Sequence, residues 1–504
     1  MSSELLNVLF AFQPDDQELQ QKREYDSAIR GFVTTVANIS PQHFLKGADT
    51  PQDVLELLNS EVNSVAYIYA LQARILAAGD SPKTPKSIPD HLKPGGTVWN
   101  KIERFLETFD PVQIRYVGGE WRKLLEYVER VARAMGTPGV AISPIRSAML
   151  RLDPTTGTFT LTHLHFIRLC METRSYVAAL PILDNYIYSL PSAIPKPVLE
   201  QLEYSVPSAD HIHSGEYIHL KSGHTEKITV ADVQEYYLLG ATAYIGLRQF
   251  KKAMEFLEHV LIVPSHNLAN GLMVEAYKKW VLVSCLATGS VPPTPRTANP
   301  QGLKAVRAVS RAYEALVEAF SQTNFFPKLK AQINAGKDTW AEDGNIGLVN
   351  ELRDHQYRLY ISRLSKTFSA IPVSNISSSL GGNVDELTGY LEKLIADGHL
   401  NAQIERPSQP DDGVVLRFFL DPTQGPLAKT ELQQQKALLE QTQRTNVLAG
   451  QVKSADYRLS LTKEYVEHLK RQNKKAASSA AGEAMDTTWD DGVEADEDLM
   501  GDMH

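Results

Sequence analysis

Apolar side chains recur at helical spacing through most of the first 370 residues of this 504-residue chain. Proline-rich stretches at 79–96 and 289–302 interrupt the pattern, and the alternation typical of β-strands is scarce there. A clear example of one apolar helix face is the set Trp121, Leu124, Leu125, Val128 and Val131. Helical segments joined by such connectors indicate stacked antiparallel helix pairs. We therefore predict a mostly α fold built on a helical-repeat array.

One segment, residues 233–264, has the spacing of a tetratricopeptide unit. The matching positions are Tyr236, Leu239, Gly240, Phe256 and Pro264. The match is degenerate, because Tyr244 and Ala253 each fall one residue late, and any helical hairpin with a chance Gly and Pro gives a similar pattern. In a true repeat, Gly240 lets two helices approach closely and Phe256 packs between them. Either hairpin must stack on neighbours, since it cannot bury both of its faces alone.

The pattern changes near residue 358. The expected elements are helices at 355–368, 374–380 and 384–397, strands at 400–404 and 414–420, and a Pro/Asp/Gly loop at 406–413. Three helices followed by two strands is the order of a winged-helix module. We therefore predict such a module after the helical repeats.

The second predicted strand of this module is apolar on both sides. Val414, Leu416, Phe418 and Leu420 line one side, and Val415 and Phe419 lie on the other. Apolar residues on both sides of an expected edge strand favour pairing with the sheet of another protein.

A long helix is expected from Pro426 to residue 474, where no further Pro occurs and Gly450 is the one Gly. About 48 residues in a helix span roughly 70 Å. Its apolar seam steps by four and three along Leu448, Val452, Ala455, Leu459, Thr462, Val466 and Leu469. Such a seam predicts a bundle with helices from other chains, and folding back onto the repeats is the alternative.

The formal charge of −9 is concentrated in the last 22 residues. Residues 483–504 carry nine of the 60 acids and no Lys or Arg, so the rest of the chain balances 51 acids against 51 bases. The tail beyond residue 475 is expected to be disordered, since it cannot build a core. Two cysteines favour a reducing compartment, residues 1–6 lack the basic start of a signal peptide, and no apolar run is long enough for a membrane span.

No catalytic constellation stands out. The pairs His163-x-His165 and His211-x-His213 have a metal-ligand spacing, but no Asp follows ten residues later as a zinc isopeptidase requires. The first pair precedes a helical run in which its side chains would diverge, and the second lies in a Pro-rich insertion at 191–231, where solvated histidines are expected. Cys170 is read as a small core residue, as is the second cysteine. We therefore predict no metal, no cofactor and no enzyme activity.

Nucleic acid is the main rival partner, because winged helices often bind DNA. The helix that would enter the groove, 384–397, carries four acids against Lys393 alone, which is unfavourable beside phosphate. The interaction surface is therefore predicted to bind protein rather than nucleic acid. The basic run 470–475 is either an import signal or a set of charges that the helix C-terminus favours.

Four short segments carry a family resemblance: EAYKKWVLVS at 275–284, DGNIGLV at 343–349, RLSKTF at 363–368 and LIADGHL at 394–400. Together with the layout of repeats, winged helix and terminal helix, they resemble PCI-domain proteins. Within these the chain is most similar to the third-subunit family of the COP-nine signalosome, in its fungal form, over about 230–405. A proteasome lid scaffold subunit is the alternative within the same class, and a winged-helix nucleic-acid-binding protein is the weaker one.

The resemblance implies a non-catalytic scaffold. The complex removes the ubiquitin-like modifier Nedd-eight from cullins and so regulates cullin–RING ubiquitin ligases, with its zinc isopeptidase in another subunit. Winged helices of the PCI subunits would pair edge to edge, which puts residues 414–420 with Leu387 and Leu391 at the contact. The terminal helices would form a bundle through Leu448, Val452, Leu459, Val466 and Leu469. The implied partners are other PCI subunits in the nucleus and cytoplasm, without membrane or nucleic acid.

The domain boundaries follow from these readings. We expect N-terminal helical repeats with Pro-rich insertions at 1–230, the tetratricopeptide-like repeats of the PCI domain at 231–365 and the winged helix at 366–421. The assembly helix is expected at 426–475 and the acidic tail at 476–504.

Overall fold

The computed structural model describes the chain except for a set of short segments and the C-terminal end. The described residues are 2–12, 23–46, 53–79, 84–191, 206–211, 213–263, 269–322, 326–380, 383–406, 413–421, 423–460 and 465–472. The chain divides into two compact units, of which the first is Met1–Ala193 with Ser205–Glu431 and the second is Ile194–Tyr204 with Leu432–His504.

The first unit is mostly helical, which confirms the predicted fold class. Its N-terminal helices are α1 (Ser2–Leu9), α2 (Arg23–Ala37), α3 (Pro41–Lys46), α4 (Val54–Leu57), α5 (Ser64–Ala78), α6 (Thr97–Thr108), α7 (Pro111–Ile114), α8 (Gly118–Ala134), α9 (Ile142–Leu152), α10 (Leu161–Glu172) and α11 (Tyr176–Leu183). Short 3-10 helices at Pro85–Ser87, Asp90–Leu92, Pro138–Ala141 and Ser214–Glu216 occupy the connectors.

A second series of helices continues the array toward the winged module. These are α12 (Val230–Gly246), α13 (Phe250–Ile262), α14 (Gly271–Thr288), α15 (Pro300–Val309), α16 (Arg311–Ser321), α17 (Phe326–Ala335), α18 (Lys337–Glu342) and α19 (Ile346–Leu364). One hydrophobic cluster runs from Leu9 to Leu352 and so crosses the predicted boundary at residue 230. Trp99, Trp280 and Trp340 are among its fully buried side chains.

Helices α12 and α13 form the hairpin that the tetratricopeptide spacing predicts. A Cβ atom added to Gly240 would lie 2.7 Å from the ring of Phe256, so only glycine allows the two helices to come this close. The Phe256 ring packs against Tyr244 with 5.0 Å between centroids. Thr229 caps α12 by accepting a bond from the N–H of Asp232. Pro264, expected to end the second helix, lies outside the described residues.

The winged module has its own core after α19. Its elements are β1 (Ala370–Pro372), α20 (Val373–Leu380), α21 (Val384–Ala396), β2 (Ala402–Glu405) and β3 (Val415–Phe418). The three strands form one antiparallel sheet in the order β1-β3-β2. Both predicted strands and all three predicted helices are present, whereas β1 was not expected as a strand.

The described part of the second unit is helical. It contains α22 (Glu431–Ser460), whose 30 residues span about 45 Å, and a further helical segment at 465–472. No helix among the described residues has the length and apolar character needed to cross a membrane.

Candidate protein-interaction surfaces

The winged module buries the apolar face of α21 against one face of its sheet. Its core side chains are Ile361, Ile371, Val373, Ile376, Leu387, Leu391, Leu394, Leu400, Ala402, Leu416 and Phe418. Asn383 caps α21 by accepting a bond from the N–H of Asp385, and Asp397 follows its last turn. A module of this size needs nearly all of its apolar side chains for its own core.

The sequence-predicted edge strand is wrong, because β3 lies at the centre of the sheet. Its Leu416 is opposite Ile371 of β1 and opposite Ile404 of β2. The reason is the short strand β1, which pairs with β3 on the side that the sequence interpretation left open. Residues 415–418 therefore have a paired strand on each side and offer no free backbone edge to another sheet.

Most of the side chains predicted at this interface are buried in the core of the module. Leu416 and Leu391 are fully buried, and Phe418 and Leu387 are buried beside them in the core of the module. Val414 packs partly against the same core. Leu420, just beyond β3, is 72% exposed and is the one member of this predicted set that the surface presents.

The outer side of β2 is the sheet edge with more backbone N–H and C=O groups available for hydrogen bonding. Phe419 N–H donates to the carbonyl of Asn401 over 2.9 Å, and hydrogen-bonded pairs alternate along an antiparallel ladder. Gln403 and Glu405 therefore bond to β3, while the N–H and C=O groups of Ala402 and Ile404 point outward. Recognising β1 in the segment 370–372 would have revealed this edge from the sequence.

The outer side of β1 is a poorer pairing edge. Val373 N–H donates to the carbonyl of Val414 over 2.8 Å, which assigns the outward positions to Ala370 and Pro372. Proline has no N–H, so this edge offers a single outward donor. Of the two edges, β2 is the better template for another strand.

The exposed face of α21 is acidic. Asp385, Glu386 and Glu392 are all exposed, and Lys393 is the one base in the last turn. Arg406, at the end of β2, donates to the Glu392 carboxylate over 2.6 Å and is neutralised by it. Such a face is unfavourable beside phosphate.

Two of the sequence segments that carry the family resemblance meet in space. Lys278 Nζ lies 2.7 Å and 2.8 Å from the two carboxylate oxygens of Asp343, and Tyr313 donates to the same carboxylate over 2.8 Å. Asn345 donates to the Tyr313 hydroxyl over 2.9 Å and accepts from Lys279 Nζ over 3.1 Å. This cluster joins α14 to the start of α19, the helix that leads into the winged module.

The electrostatics of this cluster favour an ionised Asp343. Its partial burial acts to raise the pKa, but the hydrogen bonds from Lys278 and Tyr313 and the nearby ammonium charges outweigh that effect and hold the pKa below its ordinary value. The phenol of Tyr313, by contrast, has a pKa raised above its ordinary range by burial. The cluster is therefore a charged, hydrogen-bonded contact at neutral pH.

The histidines are held by local structure. His163 caps α10 through its Nδ1, which lies 3.1 Å from the N–H of Thr160, while His165 leaves the same helix in another direction. His211 Nδ1 lies 2.7 Å from the Glu216 carboxylate, and His224 is fully buried beside Trp121. No cluster of three His, Cys, Asp or Glu side chains suited to a metal ion occurs within the described ranges.

The expectation of solvated histidines in the 191–231 insertion is wrong for His211 and His224. Residues 206–229 pack onto the N-terminal helices instead of lying in solvent. Arg115 donates to the carbonyls of Pro207 and Ala209, and its guanidinium lies 4.0 Å from the ring centre of Tyr217. These contacts hold the segments 206–211 and 213–229 against the N-terminal helices.

Both cysteines are buried, as the sequence suggests. Burial raises the pKa of the Cys170 thiol and that of the Cys285 thiol to about 12. The thiols are therefore protonated at neutral pH, which makes them poor nucleophiles.

The terminal helix α22, taken by itself, carries the predicted apolar seam. Val452 and Leu459 are exposed, Leu448 is half-buried, and Val466 and Leu469 are exposed in the segment 465–472. A single helix cannot bury such a stripe. Thr462, the polar position of the seam, lies outside the described residues, as does the acidic tail.

Two protein-family models match the chain. The model described as COP9 signalosome complex subunit 3, N-terminal helical repeats, matches residues 31–300, and the PCI domain model matches residues 329–410. The relatives include proteins named COP9 signalosome complex subunit 3. One from Emericella nidulans is 31% identical over 89% of this chain and 89% of its own length. One from Neurospora crassa is 26% identical over 98% of both, and one from Arabidopsis thaliana is 25% identical over 79% of this chain and 82% of its own length.

Proposed function

Because the chain belongs to the COP9 signalosome subunit 3 family, with N-terminal helical repeats and a PCI domain, we propose that it acts in the signalosome as a non-catalytic scaffold. The observation that carries this proposal is the relationship to a fungal signalosome subunit across 89% of both chains. The signalosome reaction that it would serve is the removal of Nedd-eight from cullins, which regulates cullin–RING ubiquitin ligases.

The absence of a catalytic role is part of the proposal. Both thiols are buried with raised pKa values, and the described residues hold no three-ligand metal cluster. In this proposal the hydrolytic step takes place in another subunit, and cullin–RING ligases reach this chain through the assembled complex.

One assembly contact is proposed at the outer edge of β2. It is supported by the outward N–H and C=O groups of Ala402 and Ile404. The exposed side chain of Leu420, two residues after β3, also supports it. Backbone pairing gives affinity without requiring particular side chains at the edge. The partner is the winged-helix sheet of a neighbouring PCI subunit.

A second assembly contact is proposed along the terminal helix. The seam of Leu448, Val452, Leu459, Val466 and Leu469 would pack into a bundle with helices of the other subunits. A place in both nucleus and cytoplasm is also proposed, since the basic run 470–475 offers a nuclear-import signal.

The test is affinity purification of the tagged chain from its native cells, with mass spectrometry and a cullin-deconjugation assay on the eluate. We expect signalosome subunits and deconjugating activity with the full chain, and loss of both when residues 426–475 are deleted. Recovery of proteasome lid subunits in their place would contradict the signalosome assignment. Recovery of the chain alone, or bound to nucleic acid, would contradict the scaffold role.

A further inference from the structure

A cavity of about 260 Å³ lies in the N-terminal part of the array, among α8, α9, α10 and the segment before α12. Its floor is apolar, since Leu125, Ile145 and Phe166 line it and are at most 3% exposed. Such a floor fits the methylene stem of a long side chain. The volume suits one side chain with part of its backbone rather than a larger ligand.

The rim of the cavity is acidic. Among the described residues, Glu126, Glu129 and Glu226 are its carboxylates, Arg122 is the one Lys or Arg that lines it, and His165 lines it as well. Arg122 Nη1 lies 2.8 Å from Glu126 and 2.7 Å from Glu226, so a single guanidinium is shared between two carboxylates. One negative charge remains on these three side chains, and Glu129 adds a second.

The neighbouring arginines do not make the charge of the cavity positive. Arg133 contacts Glu129 over 2.9 Å and also contacts Glu172, so this guanidinium too is shared by two carboxylates. Arg168 is held by Glu235 through two bonds of 2.7 Å. The cavity therefore presents negative charge above an apolar floor, and an anionic ligand would be repelled.

An unpaired donor adds a second requirement. The Nε of Arg122 is buried and has no hydrogen-bond partner among the described residues. A buried N–H without an acceptor is costly, and the Arg122 side chain, which is 22% exposed, would have to turn for Nε to reach a carbonyl oxygen of an occupant. A metal ion supplies no such acceptor, and these carboxylates do not form a cluster of three metal ligands in the described chain.

We propose that this cavity binds an arginine side chain presented by a peptide segment of a partner protein. The stem lies on Ile145 and Phe166, and the guanidinium meets Glu126 and Glu129, which stand three residues apart on the same face of α8. The planar guanidinium has donors for both carboxylates, and a peptide carbonyl can accept from Arg122 Nε once the Arg122 side chain turns toward it. This peptide site is separate from the winged module and the terminal helix, and it goes beyond the proposed scaffold function.

The experiment follows the methyl resonance of Ile145 in the full chain, labelled with ¹³C at isoleucine Cδ1 methyl groups. The probe is Nα-acetyl-arginine methylamide, and the matched control is the citrulline analogue, which has the same shape without the charge. We expect a saturable shift of Ile145 with a Kd on the order of 1 mM for the arginine probe. Binding of the citrulline analogue should be roughly tenfold weaker, since charge-assisted bonds are lost.

Two variants test the rim directly. Glu129→Gln removes one carboxylate at constant size and should weaken arginine binding severalfold, whereas Glu107→Gln, an exposed position on α6, should leave it unchanged. The proposal is overturned by no shift at Ile145, by equal affinity for the citrulline analogue, by binding of Nα-acetyl-glutamate methylamide, or by unchanged affinity in Glu129→Gln.

Discussion

Lys278 Nζ contacts both carboxylate oxygens of Asp343, at 2.7 Å and 2.8 Å, across 65 positions of sequence. The pair joins the middle of α14 to Asp343, which follows α18 and lies three residues before α19, and α19 contributes Ile361 to the core of the winged module. The contact lies at the junction between the helical array and the winged module.

This contact leads to a prediction about stability. Lys278→Met and Asp343→Leu should each lower the free energy of unfolding, because each leaves a partly buried charge without its partner. The double variant should cost less than the sum, with a coupling of about 1–2 kcal/mol measured by urea denaturation. Lys251→Met, at an exposed position of α13, serves as the control. Simple additivity in the double variant would contradict the coupling.

A second prediction concerns the close approach at Gly240. Gly240→Ala places a Cβ atom 2.7 Å from Phe256, so it should destabilise the chain by about 1–3 kcal/mol despite the better helix propensity of Ala. Gly389→Ala, where a Cβ meets nothing within 4 Å on α21, should stabilise by about 0.5–1 kcal/mol. Combining Gly240→Ala with Phe256→Leu should restore part of the lost free energy of unfolding, measured by thermal or urea denaturation. No recovery would argue against the ring as the obstacle.

A third prediction concerns acid pH. Burial lowers the pKa of His163 to about 4 and that of His224 to about 3, below the ordinary value of 6.5. Below pH 6.5 the unfolded chain therefore binds protons that the folded chain excludes, and stability falls as the pH is lowered toward 4. At pH 5 the loss is about 2 kcal/mol for each of these histidines relative to neutral pH.

The variant His224→Asn tests this pH dependence. Its amide can replace the contact of Nδ1 with Ser222, which is 3.0 Å long, and it does not titrate. The free energy of unfolding of this variant, measured between pH 7.5 and pH 5, should change less with pH than that of the original chain. An identical slope would show that His224 does not contribute.

A fourth prediction concerns the outer edge of β2. If a neighbouring sheet pairs there, hydrogen exchange at the amides of Ala402 and Ile404 should slow roughly tenfold or more in the complex relative to the isolated chain. The amides of Gln403 and Glu405, already bonded to β3, should change less. Mass spectrometry with single-residue fragmentation measures this difference. Unchanged exchange at Ile404 would rule out β2 as the paired edge.

A fifth prediction concerns the terminal helix. Leu459→Asp with Val466→Asp places two charges in the apolar seam and should release the chain from its complex while the helical repeats stay folded. Gln443→Asp with Asn446→Asp adds the same charge away from the seam and should leave co-purification unchanged. Affinity purification with circular dichroism of the isolated chain measures both. Retained co-purification of the seam variant would contradict the assembly role.

Local periodicity was enough to predict the helical elements from the sequence. The spacing of Gly240 and Phe256 predicts a close pair of helices. The structure confirms it, because the ring of Phe256 on α13 lies against Gly240 on α12. The winged-helix order and the apolar seam of α22 were likewise visible, since both depend on neighbours within a few turns. The domain boundaries and the bundle contacts stay predictions.

Only the tertiary structure decided which strand is central, which apolar side chains are core and which histidines are buried. Strand β1 has three residues and ends in Pro372, too short for an alternation signal, yet its pairing moves β3 from the edge to the middle of the sheet. The sequence pattern therefore predicts Leu416 and Leu391 at an interface, whereas the structure buries both in the core of the module. Strand order, ion pairs such as Lys278 with Asp343, and the burial of His224 all depend on residues far apart in the chain. A local pattern contains no information about which distant segment will pack against it.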